Sequence, residues 1–137
     1  MSAVISLNLI QLVSHCASEM NGDELFLKKG GKRFWPTTGK YFPAIEELIP
    51  INSEITLQNF GFVDLELCEY DNWFSSSCLG IFRILIARDT KFRNVYECSL
   101  IQRGQEFSSY SLHWEIVQRA TQKVNTITTG SLVGKVL

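Results

Sequence analysis

The sequence predicts an all-β fold, an antiparallel β-sandwich with about seven to eight strands. Apolar and polar residues alternate along much of the chain, which is typical of strands that bury one face. Outside the last turn or two, we find no convincing stretch with the apolar spacing of an amphipathic helix. Turn signals separate the alternating segments at intervals of roughly ten residues, which favours a sandwich or a barrel, and we expect two packed sheets.

The first predicted strands lie in the N-terminal third of the chain. Ile5–Leu12 belongs to an apolar stretch interrupted by Ser6, Asn8 and Gln11, and because it lacks a basic leader it is typical of a strand rather than of a targeting segment. Leu25–Lys29 and Lys32–Trp35 follow. Gly30 and Gly31 stand between these two strands, and adjacent glycines readily take the positive φ angles of a type I′ turn. The sequence therefore predicts a hairpin at this point.

Three prolines, Pro36, Pro43 and Pro50, bracket the segment Thr37–Glu47. Proline cannot donate to a strand ladder, so we expect a loop or a short turn of helix here rather than a central strand.

The remaining strands show the alternation most plainly. They are predicted at Ile49–Leu57, Val63–Cys68, Leu79–Ile86, Val95–Ile101 and Tyr110–Val117. In the last of them Leu112 and Trp114 alternate with His113 and Glu115, so we expect His113 to point outward. The pattern predicts a sandwich over residues 1–117 and a polar C-terminal tail over residues 118–137.

Composition bounds the possible functions. The chain has 137 residues, 45% of them hydrophobic and 20% charged, with a net charge of −1. This balance fits one packed domain and argues against a nucleic-acid binder, which normally carries a clear cationic excess. No run approaches the roughly eighteen apolar residues of a membrane span, and no signal peptide is evident. We therefore expect a cytoplasmic or peripheral membrane protein.

The charges are segregated along the sequence. Cations without an acid among them are Lys28, Lys29, Lys32, Arg33 and Lys40, and acids without a base among them are Glu46, Glu47, Glu54, Asp64, Glu66, Glu69 and Asp71. Such segregation favours one positive and one negative surface, although ordinary solvated charge explains it equally well.

The four cysteines Cys16, Cys68, Cys78 and Cys98 show no C-x-x-C spacing, which disfavours a structural zinc site. Strand parity places Cys68 on a polar face and Cys78 on an apolar one, so we expect the two side chains to point apart. We expect free thiols and a reducing compartment.

Nothing in the sequence indicates an enzyme. It contains no G-x-S-x-G, Walker, H-E-x-x-H or dinucleotide-binding motif. A cysteine and a histidine brought together in space stay an open alternative. The prediction is a non-catalytic protein.

One acidic stretch carries a family resemblance. In Leu65–Gly80 an apolar strand ends in Glu69-Tyr70-Asp71, crosses Asn72-Trp73-Phe74-Ser75-Ser76-Ser77-Cys78, and resumes at Leu79-Gly80. This stretch resembles the third binding loop of the calcium- and lipid-binding C2 domains, and Asn21–Lys28 is similar to their first loop and the strand after it. The resemblance covers about residues 4 to 117 as a pattern of elements and implies a C2-like β-sandwich.

The resemblance also implies a calcium site. Its ligands are Asp23 or Glu24 from the first loop, with Glu69 and Asp71 from the third. The pattern departs from that of the family, since Glu69 stands where aspartate is usual and Ser77 occupies the last acidic position. Calcium needs about six to eight oxygen ligands, so these carboxylates suit one weakly bound ion. The alternative is that they only cap strands and solvate a loop.

Two candidate binding surfaces follow. Trp73 and Phe74 are adjacent aromatics at the predicted tip of the third loop, where they suit insertion into a membrane interface or a partner's pocket unless the loop folds back over them. The basic hairpin, defined by Lys28, Lys29, Lys32 and Arg33, suits an anionic membrane or an acidic protein surface.

The leading functional prediction is a module that docks through these two surfaces on a membrane or a protein partner, with no nucleic acid involved. The competing prediction is a structural subunit of a larger complex, built on a C2-like scaffold, with no lipid or metal role.

Overall fold

Ten β-strands make up the regular structure of the described residues. The computed structural model describes residues 2–16, 23–39, 41–44, 47–70, 77–103 and 109–122. The strands are β1 (Ser2–Cys16), β2 (Asp23–Lys29), β3 (Lys32–Trp35), β4 (Phe42–Ala44), β5 (Leu48–Leu57), β6 (Gly61–Glu69), β7 (Ser77–Ile86), β8 (Tyr96–Ser99), β9 (Ile101–Gln102) and β10 (Ser109–Gln122). The all-β prediction is confirmed.

The strands form two antiparallel sheets that pack as a sandwich. The four-stranded sheet has the order β5-β1-β10-β8, and the other sheet has the order β3-β2-β6-β7-β9 with β4 paired to β2. Strands β3 and β5 thus each lie at the edge of a different sheet.

The core lies between the sheets, where the alternating apolar residues of both layers meet. Leu7 and Leu9 of β1 and Leu65 and Leu67 of β6 are fully buried. Tyr110 of β10 is the largest of the fully buried side chains. Removal of this apolar surface from water stabilises the fold by roughly 25 cal/mol per Å², and it is the main contribution that holds such layers together.

Gly30 and Gly31 form the predicted hairpin turn between β2 and β3. Their φ angles are +58° and +80°, a backbone conformation that residues other than glycine rarely adopt. Lys29 pairs with Lys32 directly beside the turn.

The structure corrects the prediction in two places. Phe42–Ala44 is a short strand paired to β2, where we expected a loop or a turn of helix, and Pro43 is tolerated there because β4 is an edge strand. The predicted strand Val95–Ile101 is divided at Leu100, so that β8 pairs with β10 in one sheet and β9 pairs with β7 in the other. A single alternating pattern conceals such a change of sheet.

The last strand is longer than predicted. β10 continues to Gln122, and its register with β1 runs from Ser109 opposite Cys16 to Gln122 opposite Ser2. The division between a sandwich over 1–117 and a tail over 118–137 stays a prediction. No helix in the described part of the chain is long and apolar enough to cross a membrane.

Candidate functional site

The basic hairpin brings four cations together on two short strands. Lys28 pairs with Arg33 and Lys29 pairs with Lys32 across β2 and β3. Lys29, Lys32 and Arg33 are exposed, whereas Lys28 is half-buried. Because a tight turn joins the two strands, the four cations lie close together beside that turn.

A groove of about 560 Å³ lies between the basic hairpin and β5, and we call it the cationic groove. From the hairpin side it is lined by Lys29, Lys32, Arg33 and Phe34, with Thr37 just beyond β3, and from β5 by Asn52, Ser53, Glu54 and Ile55. The groove therefore opens along the side of the sandwich where the edge strands of the two sheets face each other.

A bulge shapes the β5 wall. Leu9 of β1 pairs with Ser53, whereas Gln11, two positions on, pairs with Pro50, so β5 contains one extra residue there. Asn52 lies in this bulge with a φ of 48°, in the left-handed region that asparagine tolerates better than most residues. Bulges bend strands and re-aim side chains, and they are common beside functional sites. Asn52 and the three residues after it line the groove.

The groove is suited to anions that carry several oxygen atoms. Three cations, Lys29, Lys32 and Arg33, face one carboxylate, Glu54. The hydroxyl groups of Thr37 and Ser53 add neutral donors. Arginine binds phosphate or carboxylate in a fork and lysine acts as a point charge, so this set favours a phosphate-like group at the rim.

Sequence reasoning found the hairpin side of the groove but missed the β5 side. Asn52, Ser53 and Glu54 are far from the hairpin in the sequence and come beside it only because β3 and β5 are edge strands of different sheets. The one local signal was the run of three consecutive polar residues, Asn52, Ser53 and Glu54, within an otherwise alternating strand.

The predicted calcium ligands are only partly within the described residues. Tyr70 donates its backbone N–H to the carbonyl oxygen of Glu24 at 2.8 Å, so the end of the first predicted loop meets the start of the third. Glu69 pairs with core residue Leu25 and is buried, with 4% exposure. Since residues on a strand alternate between faces, Glu24 and Glu69 project to opposite faces of the sheet.

Asp71, Trp73 and Phe74 lie outside the described residues, and of Asp23 the structure describes the backbone in β2. The calcium site formed by Asp23 or Glu24 with Glu69 and Asp71 therefore stays a prediction. So does the role of the two aromatic residues.

The cysteine prediction needs correction. Cys68 and Cys78 are paired across β6 and β7, so the expectation that they point apart is wrong. The cause is a register shift between Leu67 and Cys68: Leu67 pairs with Gly80 and Cys68 with Cys78, which leaves one extra residue on β7. This bulge reverses the parity on which the prediction was based. Both thiols are free, as expected, and so is that of Cys98.

The two histidines form cross-strand hydrogen bonds. On the outer face of the four-stranded sheet, His113 Nδ1 lies 3.0 Å from Gln11 Nε2, and His113 Nε2 lies 3.1 Å from Glu97 Oε2. A proton on Nε2 satisfies both contacts, because Glu97 then accepts it and Nδ1 accepts from the Gln11 amide. His15 Nε2 lies 3.0 Å from Ser111 Oγ. Both imidazole rings therefore have structural partners on the sheet formed by β1, β10 and β8.

Comparisons with known proteins bear on the fold. No protein-family model matches the sequence, and no curated protein matches it. Among solved structures, the chain is similar to a C2 domain of plant Extended Synaptotagmin 1, with a TM-score of 0.51 and 9% sequence identity. The match covers 84% of this chain and 94% of the other. At this identity the similarity shows the fold alone, and that fold is the C2-like β-sandwich that the sequence predicted.

Proposed function

We propose that this chain is a non-catalytic binding module that docks on an anionic membrane surface through the cationic groove and the basic hairpin. The observation that carries the proposal is the convergence of Lys29, Lys32 and Arg33 on a groove between the two edge strands. The resemblance to C2 domains, a lipid-binding family, supports it. Each cation near a charged membrane contributes on the order of 1 kcal/mol, so the cluster supplies weak, reversible attraction to which apolar contacts add.

The apolar part of the groove adds to the fit. Phe34 and Ile55 are half-buried at its wall, beside the cations. A phospholipid joins the phosphate of its headgroup to aliphatic chains, and a site with cations next to apolar surface matches both parts. Trp73 and Phe74 add a second contact in this proposal, by insertion of their rings at the interface.

Vesicle co-sedimentation tests the proposal. We expect the chain to pellet with vesicles that contain phosphatidylserine and to stay in the supernatant with phosphatidylcholine alone. Binding should weaken as salt rises, because screening shortens the range of the attraction. Lys32→Ala with Arg33→Ala should abolish pelleting, whereas Lys91→Ala with Arg103→Ala, which removes two exposed cations outside the groove lining, should not. Equal pelleting of both pairs would overturn the proposal.

Two further variants separate the contributions. Glu54→Gln removes the carboxylate of the groove and should strengthen binding to anionic vesicles. Trp73→Ala with Phe74→Ala should weaken binding without changing its salt dependence.

Parallel measurements with calcium and with a chelator report on the predicted ligands Asp23, Glu24, Glu69 and Asp71, since binding through those carboxylates requires the ion.

A role as a structural subunit is favoured by a different surface. Phe62 of β6 and Leu85 of β7 are opposite each other and exposed by 69% and 51%. Adjacent exposed apolar side chains on a sheet face are a common feature of protein interfaces. If this is the main function, the native mass of the chain isolated from its source should exceed that of one copy. Phe62→Ser with Leu85→Ser should return it to that of a single chain, while vesicle binding stays unchanged.

A further inference from the structure

A cluster of potential metal ligands lies outside the cationic groove. Glu66 and Cys68 of β6 and Cys78 of β7 bring one carboxylate oxygen and two sulfur atoms within 4.8 Å of one another. The register explains the cluster, because residues two apart on β6 share a face and the β7 bulge places Cys78 opposite Cys68. Neither thiol is in a disulfide.

The spacing suits a tetrahedral ion. Zinc binds thiolate sulfur at about 2.3 Å and carboxylate oxygen at about 2.0–2.2 Å, so its ligand atoms stand roughly 3.4–3.8 Å apart. The three atoms here lie within 4.8 Å of one another, so a bound ion has to draw them closer together. Two sulfur ligands favour zinc over calcium or magnesium, which prefer oxygen.

The local charges also fit a divalent cation. Cys68 is 2% exposed, and Lys28 stands opposite Glu66 on β2. Two thiolates and a carboxylate carry three negative charges, which one Zn²⁺ and the Lys28 ammonium together neutralise. Metal binding and thiol deprotonation are therefore coupled.

We propose that Glu66, Cys68 and Cys78 form a zinc-binding site on the outer face of the six-stranded sheet. Three protein ligands leave a fourth position open, the ligand count of an open zinc site. The ion would link the end of β6 to the start of β7. In the sequence these two strands flank the segment that contains Trp73 and Phe74. This proposal does not rest on the docking function, because none of its three ligands lines the cationic groove.

Cobalt substitution tests the site directly. For this test the full chain is prepared with Cys16→Ser and Cys98→Ser, so that Cys68 and Cys78 are its two remaining thiols. A phosphine keeps these thiols reduced. Titration with Co²⁺ should produce a sulfur-to-cobalt charge-transfer band and the visible bands of a tetrahedral ion, saturating at one equivalent. Zinc should displace the cobalt, raise the melting temperature and bind more tightly as pH rises.

Variants identify the ligands. Cys78→Ala leaves one thiolate, so it should reduce the intensity of the sulfur-to-cobalt band by about half and lower zinc affinity by at least about tenfold, as should Cys68→Ala if it folds. Glu66→Gln should keep the band but weaken binding. Glu47→Gln, at an exposed position outside both the cluster and the groove, serves as a carboxylate control and should change neither. The proposal is overturned if no band forms in the reduced chain, or if Cys78→Ala binds zinc as tightly as its parent.

Discussion

Arg83 binds Asp64 through two nitrogen atoms: Nε lies 2.8 Å from Oδ1, and Nη2 lies 2.9 Å from Oδ2. The pair joins β7 to β6 on the outer face of the six-stranded sheet. The hydrogen bonds from Arg83, followed by its charge, hold the pKa of the Asp64 carboxyl below its ordinary value. The side chains are 51% and 43% exposed, so the pair contributes little at neutral pH.

Asp64→Asn should change the acid sensitivity of the fold. A carboxyl whose pKa is lowered in the folded chain stabilises it above the pKa of the unfolded chain, about 3.9, and this stabilisation is lost as pH falls through the folded value. The variant should therefore lose less unfolding free energy than the native chain as pH falls below about 4. Urea unfolding at several pH values measures this. Glu54→Gln is the control, and equal acid sensitivity of native chain and Asp64→Asn would contradict the prediction.

Gly80→Ala should destabilise the contact between β7 and β9. A Cβ at this position would collide with the backbone carbonyl of Ile101 and lie 2.8 Å from the side chain of Leu100. Overpacking of this kind costs about 1–3 kcal/mol. Urea unfolding should show the loss, and hydrogen exchange should quicken first at β9. Ser99→Ala, at an exposed position nearby, should leave both unchanged.

Cys68 should react slowly with alkylating reagents in the folded, metal-free chain. Burial raises the pKa of its thiol to about 12, and the thiolate is the reactive form. Peptide mass spectrometry after iodoacetamide treatment at about pH 8 should find Cys68 labelled at least tenfold more slowly than half-buried Cys78. In urea the two rates should become similar. Similar rates in the folded chain would contradict the burial of Cys68.

Tyr96→Leu should destabilise the sandwich more than Tyr96→Phe. The Tyr96 and Trp114 rings stack with centroids 4.8 Å apart, and such pairs contribute about 0.5–1.5 kcal/mol beyond their buried area. Phenylalanine keeps the ring but removes the hydroxyl that accepts the Lys91 N–H at 2.9 Å, in an exposed place. Far-UV circular dichroism during urea unfolding measures both variants. A larger loss for Tyr96→Phe would show that the hydroxyl, not the stack, holds β8 in place.

Much of the fold could be predicted because alternation reports directly on burial. Ile49 and Ile51 of β5, and Leu112 and Trp114 of β10, are buried as their pattern indicated. Alternation does not report where a strand changes partner, and so the crossing of the chain at Leu100 from one sheet to the other was not visible.

The candidate sites were less predictable, since they depend on register. One extra residue on β7 brought Cys78 to the face of Cys68, and no local sequence signal marked that bulge. Likewise, the β5 wall of the cationic groove depends on which strands end up at the sheet edges. The four cations of the hairpin were predictable because a double-glycine turn determines a local structure by itself.

The position of Lys32 and Arg33 on an edge strand has a consequence for self-association. An edge strand offers its backbone groups to the strand of another molecule, and charged side chains there discourage such pairing. Here the same cations line the groove. Neutralising these cations, whether by substitution or by a bound anion, weakens the charge repulsion that discourages strand pairing along β3. If the proposed docking is right, chains bound to an anionic surface are less protected against edge-to-edge pairing along β3 than free chains.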